Sequence, residues 1–132
     1  MVVESENIVD KTVLVVDDTA LSRMGTVAQV EELGFHCDQA DGAAAALSLL
    51  KSNTYALILM DYHMPEMDGI ECTRKIREAE SGSSFAVPIV ALTSDVDVEL
   101  ESRCMAAGMN GFLHKNCSSE SLANVVKNFA HL

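Results

Sequence analysis

Three carboxylates stand at the ends of two short apolar runs. Thr12-Val-Leu-Val-Val leads into Asp17 and Asp18, and Ala56-Leu-Ile-Leu-Met leads into Asp61. Runs of this length and aliphatic character read as buried parallel strands, and open parallel sheets bind their ligands outside the carboxyl ends of the strands. If the two strands are neighbours, three negative groups crowd into one small volume, which like-charge repulsion disfavours without a cation or a proton. A hard divalent ion such as Mg2+ relieves that repulsion, taking one or two direct carboxylates and keeping several waters. Asp18 and Asp61 are candidate ligands, Asp17 is placed to hold a ligand water, and a backbone carbonyl after Asp61 would complete the protein's share.

Two further apolar runs end in residues suited to an anion. Val87-Pro-Ile-Val-Ala-Leu ends at Thr93, and Gly111-Phe-Leu-His ends at Lys115. A carboxylate beside Mg2+ suits phosphoryl transfer through an aspartyl-phosphate, with Asp61 as the nucleophile. Lys115 would place a point charge on one phosphoryl oxygen, and the Thr93 hydroxyl would donate to another. Each residue alone has a bland explanation: a strand-end Asp as a helix cap, Thr93 as a turn residue, Lys115 as a solvated cation. Only the conjunction argues for a phosphate cradle.

The elements that must position these residues follow from periodicity. Helical spacing of Leu21, Met24, Val27 and Ala28 predicts a helix over 19–33 with Thr19 as its N-cap and Gly34 as its stop. A brief strand over 35–40 precedes an alanine-rich helix whose buried stripe is expected from Leu47 and Leu50. After the strand ending at Asp61, Met64-Pro65 breaks the chain, and Ile70, Thr73 and Ile76 mark the inner face of the next helix. Val96, Leu100, Cys104 and Ala107 predict a fourth helix stopped by Gly108; Leu122, Val125, Val126 and Phe129 predict a fifth. Five strand and helix pairs in strict alternation imply an α/β fold with a parallel sheet covered by helices on both faces.

Composition narrows the function classes. At 132 residues and 48% hydrophobic, the chain suits one core and one domain. A net charge of −11, with no basic run, argues against nucleic acid as a partner. Cys37, Cys72, Cys104 and Cys117 are scattered singly, without metal-site spacing, and read as reduced, packed thiols of a cytoplasmic protein. Residues 1–10 carry three acids and no long apolar stretch, so they read as an N-terminal extension rather than a signal peptide, and no membrane span is expected.

Over 11–132 the chain resembles the receiver domain of two-component response regulators. The motifs that carry the resemblance are Val-Leu-Val-Val-Asp17-Asp18, Leu-Ile-Leu-Met-Asp61-Tyr-His-Met-Pro65-Glu-Met-Asp68-Gly69, Pro-Ile-Val-Ala-Leu-Thr93-Ser and Ala-Ala-Gly108-Met-Asn-Gly-Phe-Leu-His-Lys115. The wording around Asp61 is most similar to receivers attached to hybrid sensor histidine kinases. The resemblance implies a flavodoxin-like, doubly wound five-stranded sheet in the order 2-1-3-4-5. Asp61 would take phosphate from a histidine kinase or histidine phosphotransfer protein, and the domain would assist only its own phosphotransfer and autodephosphorylation. Mg2+ would sit on Asp17, Asp18, Asp61 and the backbone carbonyl of His63. Thr93 and Phe112 would switch a protein-binding surface on the fourth helix, fifth strand and fifth helix, although Phe112 also reads as a plain core ring. His63 and Asp95 would flank the path of an attacking water, or serve only as exposed loop residues. One departure stands out: Asn116 follows Lys115 where the family has proline, through a cis peptide that a non-proline residue adopts only at a cost of about 3 kcal/mol or more. A trans path is expected.

Two other classes compete with this reading. A phosphorylation-independent interaction module would keep the fold and lose some of the five residues, all of which are present. A phosphatase or phosphotransferase acting on small molecules would need a covering cap, for which 132 residues leave no room.

Overall fold

The computed structural model describes residues 12–82, 86–94 and 97–130; the proposed extension over 1–10, Asp95 and Val96 lie outside them. Five strands, β1 Thr12–Val16, β2 His36–Ala40, β3 Leu57–Asp61, β4 Ile89–Thr93 and β5 Gly111–His114, alternate with five helices. The helices are α1 Ala20–Glu32, α2 Ala43–Leu50, α3 Gly69–Ala79, α4 Val98–Ala107 and α5 Ser119–Phe129. All strand pairs are parallel and the order is β2-β1-β3-β4-β5, so the chain reverses its winding direction after β2. This is the flavodoxin-like topology, and its switch point lies at the carboxyl ends of β1 and β3.

Alternation along the strands divides the interior into two layers. Leu14, Val16, Ile58, Met60, Ile89 and Ala91 pack with residues of α2, α3 and α4 on one face. Val13, Val15, Leu57, Leu59, Val90 and Leu92 pack with Val27 and Val30 of α1 and Leu122 and Val126 of α5 on the other. The central strands are therefore apolar throughout except at their ends, at Thr12, Asp61 and Thr93, as a sheet covered on both faces requires.

Ile70, Thr73 and Ile76 of α3, Leu100, Cys104 and Ala107 of α4, and Leu122 and Val126 of α5 are buried as their spacing suggests, but α1 and α2 bury a different set. On α1, Val27 and Val30 face the sheet, while Leu21 and Met24 are 80% and 61% exposed. Spacing of three and four fits more than one stripe, and packing selects the one nearer the middle of the strands. On α2 the buried residues are Ala43 and Ala46, because the helix lies close to the sheet; Leu47 and Leu50 are half-buried at its edge. Thr19 stands at the N-cap of α1 without a side-chain cap bond; its own N–H donates instead to Asp17 Oδ1 at 2.9 Å. All four cysteines are free, and burial pushes the Cys37 and Cys72 thiols up to about 12 and about 11, which keeps them protonated and inert.

Candidate functional site

Strand pairing brings the acids together. Val16 of β1 lies opposite Met60 of β3, so the next residues, Asp17 and Asp61, leave the sheet side by side. β4 flanks β3 on its other side and ends at Thr93, and β5 delivers Lys115 immediately after His114. One carboxylate oxygen from each of Asp17, Asp18 and Asp61 lies within 4.8 Å of the others. Asp17 and Asp61 are 0% and 3% exposed, whereas Asp18 faces solvent.

Lys115 crosses from β5 to this cluster. Its Nζ stands 3.3 Å from Asp17 Oδ2 and 3.2 Å from Asp61 Oδ2. Thr93 is fully buried, and its carbonyl accepts the Lys115 N–H at 2.7 Å, which fixes the two strand ends against each other. The five residues singled out from sequence thus share one rim.

The loop after β3 is folded tightly beneath that rim. The Tyr62 N–H donates to the Leu92 carbonyl at 3.0 Å, and the His63 N–H donates to Asp61 Oδ1 at 3.2 Å. Gly69 donates its N–H to the Tyr62 carbonyl, and a Cβ there would lie 3.0 Å from the Asp61 carbonyl oxygen. Only glycine fits that approach without displacing backbone. The His63 ring is exposed, edge-on to Tyr62 with centroids 4.7 Å apart. Phe112, opposite Ala91, is half-buried against the layer formed by α2, α3 and α4.

The electrostatics separate the two buried acids. Burial raises the Asp17 carboxyl, but hydrogen bonds from the Ser22 side chain and the Thr19 N–H, with the Lys115 charge, outweigh it and hold Asp17 below the usual range. Asp61 is raised to about 6: burial dominates, the Lys115 ammonium only partly opposes it, and the Asp17 charge adds to the rise. Burial lowers Lys115, yet the two carboxylates beside it raise it above its ordinary value. In the metal-free protein, then, Asp61 is the acid whose charge the fold tolerates least.

Sequence reasoning overlooked Ser22 and Arg23. Arg23 Nη1 donates to the Asp17 carbonyl at 2.7 Å, and its Nε to Gln39 Oε1 at 3.1 Å, clamping the end of β1 to β2. The available signal was position: polar residues in the first turns of a helix that starts directly behind an acid pair. The Asn116 departure resolves simply. No described peptide is cis, and the Asn116 N–H, which a proline would lack, donates to His114 Nδ1 at 3.0 Å.

Comparison with known proteins agrees with this geometry. The response regulator receiver domain family matches residues 13–127. This chain belongs to that family. It is 34% identical over 139 residues to Histidine kinase 2 of Arabidopsis thaliana, covering 91% of this chain and 12% of that protein. The receiver domain of sensor histidine kinase PA1611 from Pseudomonas aeruginosa, described with a magnesium ion in its active site cleft, superposes with a TM-score of 0.82 at 28% identity, covering 93% of this chain and 99% of that one. Chemotaxis protein CheY4 of Vibrio cholerae gives 0.83 at 25% identity, covering 91% and 98% of the two chains. Among its curated relatives are histidine kinases, from mak3 of Schizosaccharomyces pombe to Probable histidine kinase 4 of Oryza sativa, of whose length the chain spans 5% to 14%. The receiver family serves two-component signalling rather than classical enzyme catalysis, and this receiver is similar to those of hybrid histidine kinases. Among its described residues no helix is long and apolar enough to cross a membrane.

Proposed function

We propose that this receiver, extending over 11–132, accepts a phosphoryl group on Asp61 from the phosphohistidine of a histidine kinase or phosphotransfer protein. The observation that carries the proposal is the meeting of Asp61 with two further acids and Lys115 Nζ, 3.2 Å away, on one sheet edge. In the transfer an Asp61 oxygen bonds to phosphorus as the donor's N–P bond breaks, and the departing imidazole recovers its ring electron pair.

The donor set fits Mg2+: three carboxylate oxygens in one cluster, two of the acids buried and one open to solvent. Asp17, Asp18, Asp61 and the His63 carbonyl would hold the ion. Bound there, it would neutralise charge on phosphoryl oxygens and relieve repulsion among the acids. Lys115 Nζ, already on both buried carboxylates, is positioned to follow charge from Asp61 to a phosphoryl oxygen. The Thr93 hydroxyl captures another oxygen, and Phe112 repacks behind it, altering the face made by α4, β5 and α5 for a downstream protein. His63 and, by its sequence position two residues after Thr93, Asp95 are assigned the tuning of the modified state's lifetime.

A protein donor must reach a rim from which α1 departs directly behind Asp18. Leu21 and Met24, exposed on that helix, are apolar surface such a donor would cover. The net charge of −11 keeps nucleic acid away, and a cytoplasmic location suits the reduced cysteines.

Incubation with Mg2+ and acetyl phosphate, followed by intact mass and hydroxylamine treatment, tests the reading. One hydroxylamine-labile phosphate that disappears in Asp61→Asn is the expected result. No adduct with any donor, together with no Mg2+ binding, would leave a phosphorylation-independent interaction module in its place.

A further inference from the structure

The two strand ends that bear Thr93 and Lys115 are joined by more than the sheet. Thr93 lies opposite His114 in the β4–β5 pairing. From there the His114 side chain reaches past Thr93: its Nε2 stands 3.1 Å from the Ser94 carbonyl oxygen, while its Nδ1 stands 3.0 Å from the Asn116 N–H. Both partners have fixed polarity. A backbone N–H only donates and a carbonyl only accepts, so Nδ1 must accept and Nε2 must carry the proton. One neutral tautomer satisfies both contacts.

We propose that His114 is a positioning residue for phosphoryl capture, a strut tying the segment after Thr93 to the segment after Lys115. It rests on the phosphoacceptor reading above, in which those two residues must close on the same group. The strut depends on residue 116 not being proline, since a proline has no N–H for Nδ1 to receive. The N–H at 116 holds the ring in the tautomer and orientation that aim its other nitrogen at Ser94, as a hydrogen bond to one imidazole nitrogen sets the role of the other. The departure at 116 and the histidine at 114 therefore act together. Without the ring, the Lys115 N–H still reaches the Thr93 carbonyl, but Ser94 and Asn116 beyond it lose their link, and the Thr93 and Lys115 side chains are held at correct separation for a smaller fraction of the time.

Two amide side chains separate the contacts. In His114→Asn the oxygen occupies the place of Nδ1 and accepts from Asn116, with nothing reaching Ser94. In His114→Gln the amide nitrogen reaches as far as Nε2 and donates to Ser94. With acetyl phosphate and Mg2+, His114→Ala and His114→Asn are expected to be phosphorylated about three- to tenfold more slowly, the worth of one hydrogen bond, while His114→Gln recovers most of the rate. Mg2+ affinity, set by the acids, should stay within about twofold of wild type in all three. Nitrogen-15 NMR of the unmodified wild type should show a single neutral His114 tautomer protonated at Nε2, and Asn116→Pro should release it.

An Nδ1-protonated or tautomer-averaged ring in the wild type overturns the inference without any variant having to fold. So do variants that keep Mg2+ binding and are phosphorylated at the wild-type rate. Wild type that takes no phosphate instead removes the phosphoacceptor reading, and with it the capture role.

Discussion

The two ends of the sheet carry charged clusters that are built in opposite ways. At the amino ends, Arg77 of α3 donates from Nε and Nη2 to the Gly108 carbonyl at 3.0 and 2.9 Å, from Nη2 to Asn110 Oδ1 at 2.9 Å, and from Nη1 to Glu80 at 2.7 Å. Glu80 and Asn110 in turn accept the N–H groups of Val87 and Ile89, both at 2.9 Å. Charge is matched, and apart from the Arg77–Glu80 pair within α3 and its C-cap, each bond ties one element to another. At the carboxyl ends, three carboxylates cluster beside one ammonium that pairs with two of them, and Asp61 is raised to about 6. One end uses polar groups to close the fold; the other keeps an excess of negative charge that only a ligand relieves. Reactivity is retained where the fold leaves its electrostatics unfinished.

The sharpest way to break this contrast is to neutralise Asp61. Asp61→Asn is expected to abolish the phosphate adduct by intact mass and, at neutral pH without metal, to raise the midpoint of thermal unfolding, because a buried charge is removed. An active end built for stability would give a lower midpoint. Next in size is the pH dependence that follows from the same carboxyl. Its ordinary value is 3.8 and its folded value about 6. Between these the folded chain retains a proton that the unfolded chain has lost, so the stability of the metal-free protein falls as pH rises from about 4 through about 6, by roughly 3 kcal/mol from this group. Mg2+ competes with that proton, so its affinity should weaken as pH drops below about 6, by up to about tenfold per pH unit. Urea unfolding and Mg2+ titration across this range check both signs.

Arg77→Ala tests the opposite end. Loss of the hydrogen bonds to Gly108, Asn110 and Glu80 is expected to cost about 2 kcal/mol in urea unfolding, while the rate of phosphorylation by acetyl phosphate changes little. Gly108→Ala should destabilise through the same cluster, since φ there is +116° and a Cβ would lie 2.9 Å from Arg77 Cγ. The smallest effect is expected from Leu21→Ala with Met24→Ala. These exposed side chains should change stability by less than about 0.5 kcal/mol and leave acetyl phosphate reactivity intact, yet slow transfer from a phosphohistidine protein. Equal slowing with both donors would place their role inside the site rather than on a docking face.

The elements were legible in the chain because β1, β3 and β4 are runs of apolar residues that each end at or next to a chemically distinctive residue. Two stripes were not. Leu21 and Met24 fit a helical period as well as Val27 and Val30 do, and periodicity cannot say which faces the sheet. Leu47 and Leu50 are more apolar than Ala43 and Ala46, but closeness of α2 to the sheet favours the small residues.

By itself the sequence determined that four of the five strands would end in acids, a hydroxyl or an ammonium, since composition and period are local properties. It also resembled the receiver family closely enough to foretell the strand order. Only the folded structure decided that Lys115 bridges both buried carboxylates, that Arg23 and Ser22 hold Asp17, and that His114 links Ser94 to Asn116. Those contacts join residues on different strands and loops, and their geometry depends on parallel register and helix placement, which no local pattern encodes.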